Sequence, residues 1–405
     1  MKVDPGAAQE NGRRRRGRAE APKQAARRIL DGRLEELVTL SHTIHAHPET
    51  CFEESSSARW TAEALARGGF SVAEGICDLP TAFEARAGSG PLVVAICAEY
   101  DALPGVGHAC GHNIIAASAV GAGLALAEIA DDIGLTVLVV GTPAEEGGGG
   151  KILLLERGAF DGVHAAMMVH PWPDDRLTAA CLAVSHFDVH FHGKEAHASA
   201  APWEGINAAD AMTVAQVSIG LLRQQLRPGE QVHGFVTDGG SAANIVPAAV
   251  SGRFMCRAGT IEALEVLEPR VKRCFEAGSL ASGATVDYRQ LAPTYSHMEV
   301  DGGLLAAYRS NAESLGRRFT RDDEGAPLPT LSTDMANVSL AVPSIHPLIG
   351  IESDGAVNHQ QAFAAACITG SADAALYDGA LSMAWTAVDA AVDPVLRDRL
   401  LARTA

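Results

Sequence analysis

Three residues with metal-binding side chains stand two positions apart in one glycine-containing segment. His108, Cys110 and His112 lie in the run Asp101-Ala-Leu-Pro-Gly-Val-Gly-His-Ala-Cys-Gly-His-Asn113. Imidazole and thiolate are the ligands that zinc and similar ions prefer, and glycine allows a loop tight enough to bring them together. The spacing favours a metal site. The alternative is a tight turn that contains a buried cysteine and capping histidines.

Paired carboxylates form a second candidate site, in the run Thr142-Pro-Ala-Glu-Glu-Gly-Gly-Gly-Gly-Lys151. Glu145 and Glu146 cannot both be buried without a cation or a shared proton. Because adjacent side chains point in different directions, one could bind a metal while the other accepts a proton from water. A solvated acidic turn is the alternative. A phosphate-binding loop is excluded, since its spacing requires glycine at position 145 and serine or threonine at position 152.

Two single histidines complete the set of candidates. His170 follows the apolar run 165–169, and His359 lies far downstream in Asn358-His-Gln-Gln-Ala-Phe363. A lone histidine is more often structural, but three successive strand ends that each carry metal-type ligands are rarely arranged by chance. With water completing the shells, the candidates suffice for two metal ions: Cys110, His112, Glu146, His170 and His359.

The pattern of apolar residues predicts which elements position these side chains. Continuous apolar runs at 91–97, 135–140 and 165–169 are typical of strands buried on both faces, and they alternate with a helical segment at 113–129. An amphipathic helix is expected from Ile29 to Ile44. This order predicts an α/β fold with a mostly parallel sheet. Ligands bind at the carboxyl ends of such strands, which is where the candidate segments fall.

The alternation of strands and helices changes at Val184. Alternating polar and apolar residues at 186–192, followed by helical segments at 206–225 and 261–277, indicate an α+β unit whose sheet is open on one face. We therefore expect a catalytic domain over 31–183 and 299–405, with an inserted domain over 184–298. Residues 1–30 carry nine basic and three acidic side chains, which predicts a disordered arm. The arm is a tether for RNA, membrane or an acidic partner, an extension without a role, or an arm that pairs with the acidic body of its own chain.

Composition excludes several classes of function. The net charge of −17, from 32 basic and 49 acidic residues, argues against nucleic-acid binding. No apolar run approaches the roughly 20 residues of a membrane span, and no secretory signal is present, so no membrane association is expected. The eight cysteines are dispersed, which indicates reduced thiols in a cytoplasmic protein.

Together these motifs resemble those of the M20 metallopeptidase family. The resemblance rests on Glu99-Tyr-Asp-Ala-Leu-Pro104, His108-Ala-Cys-Gly-His-Asn113, the run 142–151 and Gly193-Lys-Glu-Ala-His-Ala-Ser199. It is strongest to the amidohydrolase subfamily of aminoacylases, hippurate hydrolases and aminobenzoyl-glutamate hydrolases. It implies a zinc-peptidase-like catalytic domain and an inserted lid domain that forms a homodimer.

The activity implied by the resemblance is metal-dependent hydrolysis of an amide bond. The substrate would be a small molecule: an N-acyl amino acid, an aminobenzoyl-glutamate-like compound or a dipeptide. Two divalent metal ions per chain are implied, zinc or manganese, with cobalt as a further option. The competing hypothesis is a catalytically silent binding protein that keeps the fold. Retention of both Glu145 and Glu146 argues against it.

The resemblance also assigns roles to individual residues. The five candidate ligands would hold the metals, Glu145 would be the general base, and Asp101 would orient a ligand histidine. His197, from the lid, would stabilise the oxyanion in the partner subunit's site. Asn244 would lie near the substrate, and Arg257 would bind a substrate carboxylate unless it is only a solvated strand arginine.

Two positions depart from the common family pattern. Cys110 stands where the wider family has a metal-bridging aspartate. Asn113 stands where hippurate-type members have aspartate, and this favours the branch of aminobenzoyl-glutamate hydrolases and dipeptidases.

Overall fold

The computed structural model describes residues 19–402, which divide into two compact units. Unit 1 contains the described residues up to Ala180, Met298–Pro329 and those from Asn337 onwards; unit 2 contains Cys181–His297 and Thr330–Ala336. The borders near 180 and 297 lie within three residues of the expected ones. The segment Thr330–Ala336 belongs to unit 2, although the sequence analysis assigns it to the catalytic domain.

The N-terminal part of unit 1 begins with a helix, α1, over residues 19–31. Leu30 is completely buried. Lys23 pairs with Asp389 at 2.6 Å, and its carbonyl oxygen accepts a hydrogen bond from the Trp385 indole at 2.8 Å. The expected disorder of residues 1–30 therefore does not hold for 19–30, because these basic side chains find acidic and aromatic partners in the fold. Residues 1–18 lie outside the described part.

The central sheet of unit 1 has six strands. They are β1 (Ser71–Glu74), β2 (Phe83–Ala87), β3 (Leu92–Ala98), β4 (Leu135–Gly141), β5 (Ala165–Met167) and β13 (Ser344–Ile345). Their order in the sheet is β1-β2-β4-β3-β5-β13. The strands β4, β3, β5 and β13 are parallel, whereas β2 pairs antiparallel with β4, and β1 pairs antiparallel with β2. This confirms the predicted α/β class with a mostly parallel sheet.

A separate pair of short parallel strands lies beyond β5. It consists of β6 (His170–Trp172) and β14 (Leu348–Gly350). The predicted strand 165–169 is thus shorter than expected and ends at Met167, and His170 begins a separate strand instead of lying in a loop.

Helices cover the sheet and bury their apolar faces. They are α2 (Leu34–Ala46), α3 (Ser55–Arg67), α4 (His112–Ala127), α5 (Gly150–Glu156), α8 (Gly302–Ser314), α9 (Thr320–Asp323), α11 (Gln361–Ala366), α12 (Gly370–Val392) and α13 (Pro394–Leu401). The fully buried α4 packs against β3, β4, α2 and α12. Among the described residues, no helix combines the length and hydropathy needed to cross a membrane.

Unit 2 is an antiparallel sheet with two helices packed on one face. Its elements are β8 (Ala183–His192), α6 (Ala208–Leu222), β9 (Gln231–Asp238), β10 (Ala249–Ala258), α7 (Ile261–Ser282) and β11 (Thr285–Gln290). The strand order is β11-β8-β10-β9, and α6 and α7 bury a core of aromatic and aliphatic side chains against it. Three short elements lie at the unit borders: β7 (Ala180–Cys181), β12 (Thr330–Leu331) and α10 (Met335–Ala341).

Candidate metal centre

The predicted metal ligands converge at the carboxyl ends of the parallel strands of unit 1. The loop after β3 supplies Cys110 and His112, and the loop after β4 supplies Glu145 and Glu146. Together with His170 and His359 they form three overlapping groups. Within each group the ligand atoms lie within 4.8 Å of one another: Cys110–His112–His170, Cys110–Glu146–His359 and His112–Glu145–Glu146. The structure thus brings together all five predicted ligands and the predicted base.

A left-handed glycine shapes the loop between β3 and α4. Gly111 has a φ of 76° and precedes His112, the first residue of α4. A Cβ atom there would lie 2.8 Å from Cγ of Pro171, so only glycine fits both the backbone and the space. His359 is also left-handed, with a φ of 72°, and its backbone N–H donates to the carbonyl of Ala109 at 3.0 Å. This bond ties the distant His359 to the Cys110 loop.

One buried carboxylate holds two parts of the site at once. Asp101 Oδ1 lies 3.0 Å from His112 Nδ1, and its Oδ2 accepts the backbone N–H of Glu146 at 3.0 Å. The other ring nitrogen of His112, Nε2, is buried and has no hydrogen-bond partner among the described residues. It lies 3.9 Å from one carboxylate oxygen of Glu145 and 3.9 Å from one of Glu146. A buried imidazole nitrogen that faces three carboxylates, those of Glu99, Glu145 and Glu146, fits a bound cation.

A peptide carbonyl fixes the ring of His170. Its Nδ1 lies 2.8 Å from the carbonyl of Pro171, which also accepts the side-chain amide of Asn358 at 3.2 Å. The ring therefore donates through Nδ1 and keeps the Nε2 lone pair for a metal. The contact also links the His170 strand to the segment that carries His359.

The buried carboxylates of the cluster favour a positive charge at its centre, whether a proton or a metal ion. Burial and then the neighbouring His112 lower the pKa of His170 to about 4, which keeps this ring in its neutral, metal-binding form. Burial lowers the pKa of His112, but Asp101 and other carboxylates outweigh it and raise that pKa well above its ordinary value. Burial and Glu146 raise the pKa of the Cys110 thiol, so a thiolate here requires a nearby positive charge.

Three further polar residues lie under the cluster and were not predicted as site residues. Lys151 and Glu99 form an ion pair at 2.5 Å with both side chains completely buried, and Glu99 Oε2 lies 3.5 Å from His112 Nε2. His346 packs edge-on against His170, with ring centroids 5.6 Å apart. The signal in the sequence is Glu99, a charged residue two positions after the buried run 91–97, but nothing in the sequence pairs it with Lys151.

The predicted lid residues lie in unit 2. His197 is exposed, and its Nδ1 accepts backbone N–H bonds from Ser199 at 3.3 Å and Ala200 at 3.2 Å. Its Nε2 therefore carries the proton and is a donor. The backbone of Asn244 is adjacent, since its carbonyl accepts the N–H of Ala198 at 2.9 Å.

Arg257, the remaining lid candidate, lies on β10. It is half-buried, and its guanidinium donates to Ser332 Oγ at 3.0 Å. One edge of the guanidinium thus has a neutral partner inside unit 2, and within the described residues no carboxylate forms an ion pair with it.

The chain is similar in sequence to known peptidases and hydrolases. The sequence model of peptidase family M20/M25/M40 matches residues 95–377. The Xaa-Arg dipeptidase of Mus musculus is 39% identical over 92% of this chain and 90% of its own length. A p-aminobenzoyl-glutamate hydrolase component of Escherichia coli K12 is 33% identical over 62% of this chain and 56% of its own length.

Two solved structures share the fold at low sequence identity. One is a dinuclear metal-binding peptidase from the M20 family of Bacillus subtilis, with a TM-score of 0.69 and 22% identity over 88% of this chain and 98% of that chain. The other is the aminobenzoyl-glutamate utilization protein of Klebsiella pneumoniae, with a TM-score of 0.71 and 17% identity over 89% and 97%.

Proposed function

Because the chain belongs to peptidase family M20/M25/M40 and is a hydrolase of amide bonds, we propose that it uses two divalent metal ions to hydrolyse small amides such as dipeptides. The observation that carries this proposal is that two ligand groups share Cys110. One group is Cys110, His112 and His170, and the other is Cys110, Glu146 and His359. A shared ligand between two three-residue groups is the arrangement that two adjacent metal ions require.

The ligand types bear on the identity of the metal. A thiolate favours zinc, whereas imidazole and carboxylate ligands also accept manganese or cobalt. We propose zinc or manganese as the native ion, and Cys110 would take the place that an aspartate occupies in the wider family.

The residues of the site divide the proposed reaction between them. Metal ions held by these residues would polarise the scissile carbonyl and make the attacking water more acidic. Glu145 accepts the proton of the attacking water and delivers it to the leaving amine. Asp101 keeps His112 in one tautomer and holds the backbone beside the base, since its two oxygens contact His112 Nδ1 and Glu146 N.

His197 is proposed as the donor to the oxyanion in the partner subunit's site. Support comes from its tautomer, because two backbone N–H groups occupy Nδ1 and leave Nε2–H exposed. Removing one such donor lowers turnover by about 10²–10³-fold. His197→Ala should therefore show a loss of this size, and mixed dimers with a Glu145→Gln subunit should recover part of the activity. Absence of recovery in mixed dimers would contradict a site shared between subunits.

A homodimer formed through unit 2 is part of this proposal. The edge strand β9 exposes Phe235 by 59%, and α6 exposes Val217 by 59% and Leu221 by 71%. An apolar edge strand beside an apolar helix face is suited to pairing with a second copy. Leu221→Lys combined with Phe235→Lys should yield monomers in light scattering, whereas Leu280→Lys, at an exposed position of α7, should not change the mass.

The proposed substrates follow from the relatives. The Mus musculus relative is an Xaa-Arg dipeptidase and matches nearly the whole chain. Dipeptides with C-terminal arginine are therefore the first substrates to test, followed by aminobenzoyl-glutamate and N-acyl amino acids. We propose that Arg257 binds the substrate carboxylate. Arg257→Met should then raise KM for free dipeptides and leave KM for their C-terminal amides unchanged.

The deciding experiment compares the two adjacent glutamates. Glu145→Gln should keep about two metal equivalents per chain and lose turnover, because it removes the base but no metal ligand. Glu146→Gln should lose metal as well as turnover, because it removes a ligand. Wild-type turnover in Glu145→Gln, or wild-type protein that takes up no metal, would refute the proposed function.

A further inference from the structure

Glu54 is a completely buried carboxylate close to the loop of the two catalytic glutamates, and the reaction described above gives it no role. It stands directly before α3. Its Oε1 accepts the backbone N–H of Ala144 at 2.9 Å and that of Phe52 at 2.9 Å. Ala144 immediately precedes the base, Glu145. Glu54 thus contacts the residue next to the base, although Glu54 and Ala144 are 90 positions apart in the sequence.

Both residues that donate to Glu54 have a left-handed backbone although neither is glycine. The φ of Ala144 is 61° and that of Phe52 is 62°. This conformation costs about 1–2 kcal/mol for an L-residue, and it persists only where the surroundings hold it in place. Glu54 is the side chain that binds the N–H of both.

The remaining contacts of Ala144 complete the turn. Its carbonyl accepts the N–H groups of Gly148 and Gly149, each at 2.9 Å. A Cβ at Gly148 would lie 2.4 Å from the Phe52 ring and 2.7 Å from Ala144 Cβ, so the two left-handed turns pack directly against each other. Both backbone polar groups of Ala144 are therefore engaged, and one of them depends on Glu54.

The backbone of Ala144 determines where the side chain of Glu145 points. On the other side of the base, Asp101 holds the N–H of Glu146. We infer that Glu54 is a positioning residue for the general base: it fixes the left-handed turn at Ala144 and thereby aims Glu145 at the reacting water. This inference rests on the proposed function, because it assumes that Glu145 is the base.

The test compares two variants of similar size that differ in hydrogen bonding. Glu54→Gln keeps an acceptor oxygen for Ala144 and Phe52, whereas Glu54→Met fills the same volume without an acceptor. Glu53→Gln, at the exposed neighbouring position, is the matched control. Metal content, KM, kcat and hydrogen exchange of the peptide over residues 141–150 are measured for each fully metal-loaded protein.

Glu54→Met should lower kcat by about 100-fold, the loss expected for a displacement of about 1 Å at a reacting group. KM and metal content should stay near wild-type values, and exchange over residues 141–150 should rise. Glu54→Gln and the control should resemble wild type. Adding Ala144→Gly to Glu54→Met should restore part of kcat, since glycine adopts the left-handed turn without strain.

Two results would overturn the inference: wild-type kcat and exchange in Glu54→Met, or a Glu54→Gln variant as impaired as Glu54→Met. If Glu54→Met does not fold, Glu54→Asp carries the same prediction, because its shorter side chain withdraws the acceptor. Failure of the proposed function can be distinguished from failure of this inference, since wild-type protein would then hydrolyse none of the amides. Hydrogen exchange would still test the contact with Ala144 in that case.

Discussion

The buried ion pair of Lys151 and Glu99 offers a quantitative test of how the metal centre is supported. Its Nζ and Oε1 atoms are 2.5 Å apart, and both side chains are completely buried. At an effective dielectric constant of about 20, two unit charges at this distance attract by about 7 kcal/mol, most of which offsets their desolvation. Removing one partner leaves the other charge uncompensated. Lys151→Met alone should therefore lower the free energy of unfolding of unit 1 by about 3–5 kcal/mol.

A double-mutant cycle measures the interaction free of other effects. Lys151→Met, Glu99→Gln and the double variant are unfolded in urea after removal of metal. Tryptophan fluorescence is the readout, because Trp60, Trp172 and Trp385 belong to unit 1. The coupling energy should be about 2–3 kcal/mol.

A surface pair in the same unit is the control for this cycle. Arg309 and Glu313 are 2.8 Å apart on α8 but are 34% and 40% exposed, so their coupling should stay below about 1 kcal/mol. Equal coupling energies for the buried and exposed pairs, or additive losses in the double variant of Lys151 and Glu99, would refute the argument from burial. Glu99→Gln should also weaken metal binding, because it leaves the Lys151 ammonium group uncompensated near His112. The double variant, which lacks that ammonium group, should regain metal affinity.

Three further predictions concern the loops of the site. A left-handed alanine costs about 1–2 kcal/mol, and Gly111→Ala should destabilise the protein by more than this because the new Cβ would lie 2.8 Å from Pro171. Gly105 has a φ of 74° and no atom within 4 Å of the position of a Cβ, so Gly105→Ala should show the backbone cost alone in the same thermal melts. Burial, with the nearby Asp101 carboxylate, raises the pKa of Glu54 from 4.5 to about 7. The folded state therefore favours its protonated form, and metal-free protein should lose up to about 3 kcal/mol of stability as the pH rises from about 4.5 to about 7. Glu54→Gln should remove that part of the slope, and identical pH profiles in urea titrations would contradict it. Cys110→Ser should lower the metal content from about two equivalents towards one, since a hydroxyl is a weaker ligand than a thiolate; unchanged stoichiometry by mass spectrometry would exclude a bridging thiolate.

The sequence predicts β3 and β4 well because their burial leaves a simple pattern, whereas the two-residue strand β13 was not predicted. In β3 and β4 every residue is apolar or small and nearly all are fully buried, so continuous apolar runs mark them within a residue or two. The helix expected from Ile29 to Ile44 is less accurate. The chain turns at Gly32 between α1 and α2, yet Leu30 and Leu37 on either side are both fully buried. An apolar period continues across such a break when both helices face the same core, so periodicity alone does not reveal it.

The site is predictable to the extent that its residues follow strands. Cys110, His112, Glu145 and Glu146 lie just beyond β3 and β4, and neighbouring parallel strands bring their carboxyl ends to one edge. His359 follows no strand and was assigned by resemblance and by residue type. Its place in the cluster depends on a backbone bond to Ala109, about 250 residues away in sequence, which no local pattern encodes.

Strain explains why the supporting residues cannot be predicted from the sequence. Phe52, Ala144 and His359 all have left-handed backbones. Ala144 and His359 lie in segments that carry candidate site residues, and Phe52 shares its acceptor, Glu54, with Ala144. A single sequence marks left-handed positions through glycine, so a phenylalanine, an alanine and a histidine carry no such mark. Each is held instead by a partner that is remote or buried, Glu54 for the first two and the Ala109 carbonyl for the third. Loops held against their local preference stay fixed only while those partners remain, so the position of Glu145 should depend on Glu54.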